Sequence, residues 1–516
     1  MQTKGKTLAE IIKTNNMKKN ILLIVSVFTI SNVNSQNISL DNTFANNGIL
    51  QIPSTATSEV YDIDLDFNDN VYSASTTSQG SGTGINHLTV QKTSSIGILD
   101  NQFGNNGISL ISFEHSEYPL AIRVLNNSKI LVCGSAYTGH TPNGPGLHIG
   151  FILRLNSNGS LDSSFANNGI LKLDNMGSHF TSIITLNDNS IILGGNINNQ
   201  AAMLKTSENG VIDTQFGLNG IQYLSTSNFN FVLWKSFLNT NDEILSVGYD
   251  YTIPTNPRVA YCKIDLTGNF VSSFGSNGKV IMDLYNSIPN TWETLTSIRK
   301  YGNYYYLAGN HISNFIIKID EAGNIDNNFG VSGILTYSYP FKDFDIQSNG
   351  KILICGSKLI SDYNYGFSIV RYNNDGTFDT TFNNGNSFDI DISSNNDYLQ
   401  AIKHYSNKLY AGGSSYGNGH SQSTIVKLNL DQNLGVENNL YSKTIIIYPN
   451  PFNEYFYINC GSKLTDLNLF DITGRKILTE QNNNKILIKE NISAGVYFVI
   501  LKDSDNNQII KKIIKE

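Results

Sequence analysis

Hydrophobic and polar positions alternate along most of the chain, and the alternating runs end in short stretches rich in Asn and Gly. Examples are "AIRVLNNSK" (121–129), "FILRLNSNG" (151–159) and "FIIKIDEAG" (315–323). A period of two is typical of a β-strand with one buried face, and Asn and Gly favour tight turns. Beyond residue 30 no window has a sustained period of 3.6 residues. The pattern therefore predicts an all-β protein built from short strands.

A phrase of the form "LDNTFANNGIL" (40–50) divides these strands into units. Its copies share a phenylalanine that recurs at intervals of 51 to 62 residues: Phe44, Phe103, Phe165, Phe216, Phe274, Phe329 and Phe382. Each unit offers four strand candidates, namely an apolar stretch after the phrase, an alternating strand, a strand such as "ILVCG" (130–134), and a strand that runs into a turn. Seven such units predict a seven-bladed β-propeller, with four strands per blade, over residues 36–435.

The predicted ring has to close between its last unit and its first. "STIVKLNLD" (423–431) completes the seventh unit, whereas "QNISL" (36–40) is too short to replace one of its strands. We therefore expect closure by packing of unit seven against unit one, unless the strands are apportioned differently between blades.

The residues of the phrase suit structural roles. An aspartate can accept backbone N–H groups and hold the turn, the phenylalanine can act as a wedge between neighbouring sheets, and the glycine four residues later suits a positive φ. Val271 replaces the aspartate in the fifth copy, and Asn386 replaces the glycine in the seventh, where Asn tolerates the same backbone region. The repeat resembles the delta-sixty repeat of predicted bacterial β-propellers over about residues 37–433. This resemblance implies the fold and says almost nothing about activity.

The N-terminal region has the features of an export signal. Residues 17–35 contain a basic start, an apolar run from Ile21 to Ile30 and a polar stretch that permits cleavage after Ser35. The apolar run is too short to span a bilayer. We expect residues 17–35 to be a signal peptide and residues 1–16 to result from a start codon assigned too early.

The C-terminal region departs from the repeat. After a linker at 436–444, residues 445–516 alternate as short strands with glycine turns, which suits a small Ig-like β-sandwich. This region resembles the C-terminal sorting domain of the type IX (Por) secretion system of Bacteroidota. The matching residues are Tyr448, Pro449, Asn450, Pro451, Asp471, Gly474, Arg475, Gly495, Tyr497, Lys511, Lys512 and Lys515. The resemblance implies recognition by the translocon, removal by a sortase, transient outer-membrane association or surface anchoring, and a secreted or cell-surface protein.

Charge and local motifs narrow the function further. Residues 37–440 contain 20 basic and 33 acidic residues, a balance of −13 that would repel nucleic acid. The cysteines are scattered and read as small buried residues, and no spacing of His, Ser or Gly indicates a metal, a cofactor or a catalytic nucleophile. The acidic runs at 61–70 and 389–397 read as exposed strand carboxylates. We therefore expect no cofactor and no metal, and we favour a protein that is not an enzyme.

The candidate ligand site lies in the loops that vary between units. These loops carry aromatic and imidazole side chains at Tyr137, His140, Tyr249, Tyr251, Tyr363, Tyr365, Tyr416 and His420. Such side chains could stack on sugars or dock a protein, although they could also be incidental residues of solvated loops. The leading hypothesis is non-catalytic binding of a glycan or a surface protein. The alternatives are a surface hydrolase or lyase that acts on polysaccharide at the ring axis, and a structural spacer of the cell surface.

Overall fold

The computed structural model describes most of the chain, in two compact units, Met1–Gln432 and Asn433–Glu516. The described residues are 38–78, 84–139, 146–174, 176–284, 292–311, 313–337, 341–361, 364–430, 446–448, 450–459, 464–471, 475–482, 485–503 and 508–516. The expected signal peptide, the start extension and the linker lie outside these residues.

The described part of the first unit consists of strands and one 3-10 helix. They are β1 (Ile38–Leu40), β2 (Ile49–Gln51), β3 (Ser58–Leu65), β4 (Val71–Ser78), β5 (Asn86–Thr93), β6 (Ile108–Ile111), β7 (Ser116–Val124), β8 (Ile130–Tyr137), β9 (His148–Leu155), β10 (Ile170–Lys172), β11 (Ser178–Thr185), β12 (Ile191–Ile197), β13 (Gln200–Thr206), β14 (Ile221–Tyr223), β15 (Phe231–Leu238), β16 (Glu243–Asp250), β17 (Arg258–Asp265), β18 (Lys279–Met282), β19 (Thr294–Tyr301), β20 (Tyr304–Asn310), β21 (Asn314–Asp320), β22 (Ile334–Tyr337), β23 (Asp343–Ile346), β24 (Ile352–Ser361), β25 (Asn364–Tyr372), the 3-10 helix η1 (Asn383–Gly385), β26 (Phe388–Ile390), β27 (Tyr398–Tyr405), β28 (Lys408–Gly417) and β29 (His420–Leu430).

These strands form seven antiparallel sheets in the described part of the unit. Six sheets take four consecutive strands each, from β3–β6 to β23–β26, and the seventh contains β27, β28, β29, β1 and β2. The first strand of each sheet contacts the first strand of the next, and β27 contacts β3. The first strands therefore form a closed inner ring, as in a β-propeller.

The ring closes differently from the expectation, because the fourth strand of each sheet comes from the segment that follows the phrase. The apolar stretch after each phrase pairs backward with the preceding sheet, as β10 does with β9. The seventh sheet therefore receives its outer strands from the N-terminus: Ile49 faces Val426, and Ile38 faces Leu430. Residues 36–40 do not replace "STIVKLNLD", most of which lies in β29; instead β1 and β2 both pair with β29, and β2 takes the fourth-strand position, which has three residues in other sheets too. Backbone pairing, and not packing alone, closes the ring.

The phenylalanine of every phrase lies between two sheets, as predicted. All seven side chains are at most 3% exposed. Phe165, for example, belongs to one apolar cluster with Leu131 of the second sheet and Leu193 of the third. Phe44 joins Val60 of the first sheet to Tyr410 of the seventh. The repeated phenylalanine is therefore the wedge that fills each junction between neighbouring sheets.

The phrase aspartate has two partners, one of which the sequence did not reveal. Its Oδ1 accepts the N–H two residues on, as Asp162 does from Ser164 at 3.2 Å, which confirms the predicted turn. Its Oδ2 pairs with a cation on the third strand of the sheet, and the six N–O distances range from 2.6 to 3.6 Å. Arg154 pairs with Asp162 in this way and also lies over the Phe165 ring, 4.8 Å from its centroid.

The same contacts keep these carboxyl groups ionised. Burial would raise the pKa of Asp379, but hydrogen bonds from Lys351 and Thr381, with the charge of Arg371, lower it to about 2. The ion pair thus joins the third strand to the phrase wherever the phrase retains its aspartate.

The two irregular phrases differ from the others in defined ways. In the fifth copy, Lys263 pairs with Glu243 at 3.1 Å and Glu321 at 3.7 Å, since Val271 offers no carboxylate. In the seventh copy, Asn386 has φ −127°, so the expected left-handed conformation at that residue was wrong. Gly385 adopts the positive φ instead, at 74°.

The glycine of "ILVCG" makes room for a β-bulge in the first strand. The register of β7 and β8 shifts between Pro119 and Ala121. A Cβ added to Gly134 would lie 2.0 Å from the carbonyl oxygen of Tyr118. Equivalent clashes of 1.9–2.1 Å arise at four further sheets, so the bulge explains the glycine at these five sheets, whereas Ser75 stands opposite the bulge in the first sheet.

The second unit contains two four-stranded sheets that share one apolar core. Its strands are β30 (Ile446–Tyr448), β31 (Tyr455–Asn459), β32 (Leu464–Asp471), β33 (Lys476–Ile477), β34 (Thr479–Asn482), β35 (Lys485–Ile488), β36 (Gly495–Asp503) and β37 (Gln508–Lys515). One sheet has the order β30-β31-β35-β34 and the other β33-β32-β36-β37. Phe456 of the first sheet and Val499 of the second are completely buried in the same cluster, which makes this unit a β-sandwich.

Replacing one wedge tests its contribution to stability. Phe165→Ala should lower the free energy of unfolding by about 3–5 kcal/mol, because it leaves a cavity between two sheets. Denaturant titration of the purified protein measures this loss. Phe67→Ala, at a position 65% exposed, is the matched control and should change little. A loss below about 1 kcal/mol for Phe165→Ala would mean that the side chain does not fill the junction.

Removing the N-terminal strands tests the closure. A chain that begins at residue 53 lacks β1, β2 and Phe44 and should lose at least about 3 kcal/mol of stability, the cost of the wedge alone. Adding a synthetic peptide of residues 36–52 should restore the melting temperature, whereas a scrambled peptide should not. If the shortened chain melts like the full chain, the ring closes without these strands.

Candidate functional site

The connections of the propeller lie on two faces, because antiparallel strands alternate in direction. The loop face carries the connections from second to third strand and from each fourth strand to the next sheet. The phrase face carries the short turns and the phrases. Tyr137, Tyr249, Tyr365 and Tyr416 all lie at or near the loop-face ends of their strands. His140 and Tyr363 lie outside the described residues.

An aromatic cluster on the loop face contains two of the predicted residues. The ring centroid of Trp292 lies 5.6 Å from that of Tyr249 and 5.8 Å from that of Tyr251, and the two tyrosine rings are 6.4 Å apart. Trp292 is 53% exposed. Sequence reasoning missed Trp292, which precedes β19 and is far from the tyrosines in the chain. Its rarity was the available signal, since the chain has only 2 Trp.

An open groove of about 520 Å³ begins at the same loop. It is lined by residues of three neighbouring connections: Gln200, Ser225, Thr226, Ser227, Asn230 and Thr252. Asp250, which is completely buried, supports the groove from behind. Its carboxylate accepts hydrogen bonds from the Asn230 N–H at 3.0 Å, the Thr252 hydroxyl at 2.6 Å and Arg258 at 2.7 Å. These bonds hold the lining residues in place.

The remaining described candidates have other neighbours. The Tyr137 ring lies 5.3 Å from that of His148 and 6.0 Å from that of His115. Tyr365 stacks on Tyr398 with centroids 6.2 Å apart.

At the seventh sheet the two candidates differ in accessibility. Tyr416 is 39% exposed. His420 Nε2 is 2.9 Å from the carbonyl oxygen of Ser54, so this histidine contacts the N-terminal segment. The described candidates thus belong to separate groups around the face and not to one continuous patch.

The inner ring contains carboxylates, two of which, Asp62 and Asp64, belong to the acidic run at 61–70. Asp62 accepts the N–H of Ile122 at 3.0 Å, and Asp64 accepts that of Val124 at 2.9 Å, both on the next sheet. Asp343 and Asp345 accept the N–H groups of β27 in the same manner, at 3.3 and 2.8 Å. The expected exposure was wrong because the strand faces a neighbouring strand and not solvent.

The axial carboxylates are also matched by cations from other sheets. Arg299 contacts Asp343 at 3.1 Å, and Lys403 contacts Asp64 at 3.0 Å. Burial raises the pKa of Asp62, the charge of Lys235 opposes the rise and that of Asp343 adds to it. Charges on separate sheets therefore act on one another across the axis.

In the run at 389–397, the expected exposure is confirmed for Asp389 and Asp391 and was wrong for Asp397. It is completely buried before β27 and accepts the N–H groups of Ile392 and Ser393. Within the described ranges, no group of three or more His, Cys, Asp or Glu residues is arranged to hold a metal ion. The described part of the chain likewise has no helix long and apolar enough to cross a membrane.

The second unit contains the C-terminal motif residues. Arg475 Nε lies 3.0 Å from Asp471 Oδ2, and Arg475 also contacts Glu490 at 2.9 Å. Asn450 accepts the N–H of Ile514 at 2.8 Å and so ties the start of the unit to its last strand.

Other described residues of the sorting motif lie on β36 and β37. The Tyr497 hydroxyl donates to the carbonyl of Ser493 at 2.8 Å, Gly495 begins β36, and Lys511 and Lys515 lie on β37. Pro449 and Gly474, and the side chains of Tyr448 and Lys512, lie outside the described part.

Two family models match parts of the chain. Residues 446–516 match the secretion system C-terminal sorting domain. Residues 125–165 and 347–382 match a domain of unknown function (DUF5122) of the β-propeller class. No curated protein sequence matches the chain.

Solved structures similar to the chain have low identity. Trypanosoma rangeli sialidase in complex with sialic acid has 8% identity and a TM-score of 0.36; the match covers 76% of this chain and 59% of the sialidase. Polysaccharide lyase Uly1 has 12% identity and a TM-score of 0.41, with 72% and 90% covered. Drosophila Plexin A in complex with Semaphorin 1b has 8% identity and a TM-score of 0.36, with 76% and 88% covered.

The family matches coincide with the two units that the geometry defines. The described sheets of the first unit surround an inner ring, and the second unit presents the sorting motifs on a β-sandwich. The chain is a β-propeller protein with a C-terminal type IX sorting domain, which directs it to the cell surface or the extracellular space.

Proposed function

We propose that the protein is a secreted, non-catalytic binding module, in which a seven-bladed β-propeller is followed by an Ig-like sorting sandwich. The loop face of the propeller binds a glycan or a surface protein. The number of sheets with a closed inner ring supports seven blades. The two face-to-face sheets of the second unit support the sandwich.

The exposed aromatic cluster is the observation that carries the binding role. Trp292 leaves more than half of its surface to solvent while two tyrosines pack against it. Exposed aromatic rings on loops above a rigid scaffold are typical of recognition surfaces. A structural spacer would not require such a cluster.

Catalysis at the axis is the second candidate. Carboxylates near the axis favour it, because polysaccharide hydrolases use a pair of such groups. Here, however, each of the four axial carboxylates accepts a backbone N–H from the next sheet. These bonds give the carboxylates a structural role, and binding is therefore the stronger proposal.

The proposed route of export has two steps. Cleavage after Ser35 follows passage across the inner membrane, and the translocon then recognises residues 445–516. A sortase removes this region, and the propeller is released or attached to the surface. The sorting domain match supports the second step.

Variants on opposite faces test the binding role. Replacing Tyr137, Tyr251 and Tyr365 with Ser should lower binding to glycan arrays or to isolated cell envelopes by at least about tenfold, a loss of about 1.4 kcal/mol. Replacing the exposed phrase-face residues Ile98, Val211 and Val331 with Ser is the matched control and should leave binding unchanged. If the loop-face variant binds as well as the phrase-face variant, the loop face is not the binding surface. Release of sugar products by the unmodified protein would favour the hydrolase or lyase instead.

Deleting residues 441–516 tests whether this region directs export across the outer membrane. The truncated chain should fold with an unchanged melting temperature and remain in the periplasm, because the signal peptide alone provides passage across one membrane. The full chain should appear outside the cell, shortened by about the mass of the tail. Fractionation of a bacterium with type IX secretion, together with melting curves, measures both results. A truncated chain that reaches the medium or melts markedly lower would contradict the proposal.

A further inference from the structure

We propose that the groove between the third and fourth sheets, together with the Trp292 cluster, binds an uncharged saccharide. This inference rests on the proposed binding role and gives it a site and a ligand class. The groove is lined by Gln200, Ser225, Thr226, Ser227, Asn230 and Thr252, and the cluster comprises Tyr249, Tyr251 and Trp292.

The groove and the cluster are joined by one connection. Thr252 lines the groove, and Tyr251, the preceding residue, belongs to the cluster. The Tyr251 N–H donates to the carbonyl of Asn230 at 2.7 Å, so this groove residue is fixed to the cluster through the backbone. A chain of sugar rings crossing this connection would meet the aromatic rings on one side and polar groups on the other.

The lining chemistry matches the hydroxyl groups of sugars. Four lining residues carry hydroxyls and two carry amides, and both groups donate and accept hydrogen bonds. The apolar faces of sugar rings stack on aromatic side chains, which the three clustered rings supply. A protein interface would instead place apolar and aromatic side chains at its centre and polar groups around them. The lining of the groove is polar throughout, which favours saccharide over protein.

The absence of charge among the lining residues selects an uncharged saccharide. Asp250 is completely buried, and the partly exposed Arg258 neutralises it at 2.7 Å. A cation lies at one edge of the groove, where Lys279 Nζ is 3.4 Å from the hydroxyl oxygen of Thr226. The surrounding segment, residues 37–440, has a net charge of −13, which repels uronic acids and sulfated sugars.

The buried carboxylate prepares the site before ligand arrives. Asp250 holds both Asn230 and Thr252, which come from different connections. Holding the binding groups in place reduces the entropy lost on binding. These two lining residues are therefore held in place, although they lie on loops.

Trp292→Ala in the full mature chain tests the inference. Binding to immobilised neutral polysaccharides, such as β-glucan, mannan and xylan, should fall at least about tenfold, which corresponds to about 1.4 kcal/mol. Trp234→Ala is the matched control, because Trp234 is also exposed, at 42%, but lies on β15. Ser227→Ala, at an exposed lining residue, should weaken binding without changing the melting temperature. Alginate and a sulfated galactan serve as acidic probes.

The outcomes separate this inference from the broader role. Loss of neutral-polysaccharide binding in Trp292→Ala but not in Trp234→Ala supports the site. Neutral binding that survives Trp292→Ala overturns the site and leaves the binding role standing. Binding of acidic polysaccharide alone, or of envelope protein alone, overturns the ligand class. If the unmodified chain binds none of the polysaccharides and no envelope component, both proposals fail.

Discussion

The junction between neighbouring sheets is the constraint on which the structure depends. A four-stranded sheet has two apolar faces, and it can bury them only against the sheets before and after it. The phenylalanine wedge fills each junction, and the phrase aspartate ties the wedge to the third strand through a cation. Because the cation that pairs with the aspartate also lies over the wedge ring in five phrases, one ion pair positions both the turn and the core there.

The repetition of the phrase made much of the fold predictable. The wedge, the aspartate turn and most positive-φ glycines each followed from residue type and spacing, since they depend on contacts within a few residues. The third-strand cations escaped notice because Lys and Arg occur throughout the chain and only the fold brings them to the aspartates. The outer strands were assigned to the wrong sheets for a related reason: three residues carry too little pattern to reveal a long-range partner, as Ile49 opposite Val426 illustrates.

The candidate site was less predictable than the fold. Tyr249 and Tyr251 could be selected because they lie in a variable loop, but Trp292 belongs to a different connection and joins them only in three dimensions. The groove depends on Asp250, a residue whose sequence context resembles any strand end. Loop-face chemistry varies from sheet to sheet while the phrase face repeats, so the repeat itself carries no information about ligands.

The pairing of Ile38 with Leu430 has a mechanical consequence. The first and last described residues of the propeller lie side by side at one end of an antiparallel strand pair. Tension between them would break the hydrogen bonds in succession, as a zipper opens, and would not load them together as shear does. A propeller that is attached through one terminus alone bears no load across this strand pair. A propeller that is pulled at both termini would open at this strand pair first.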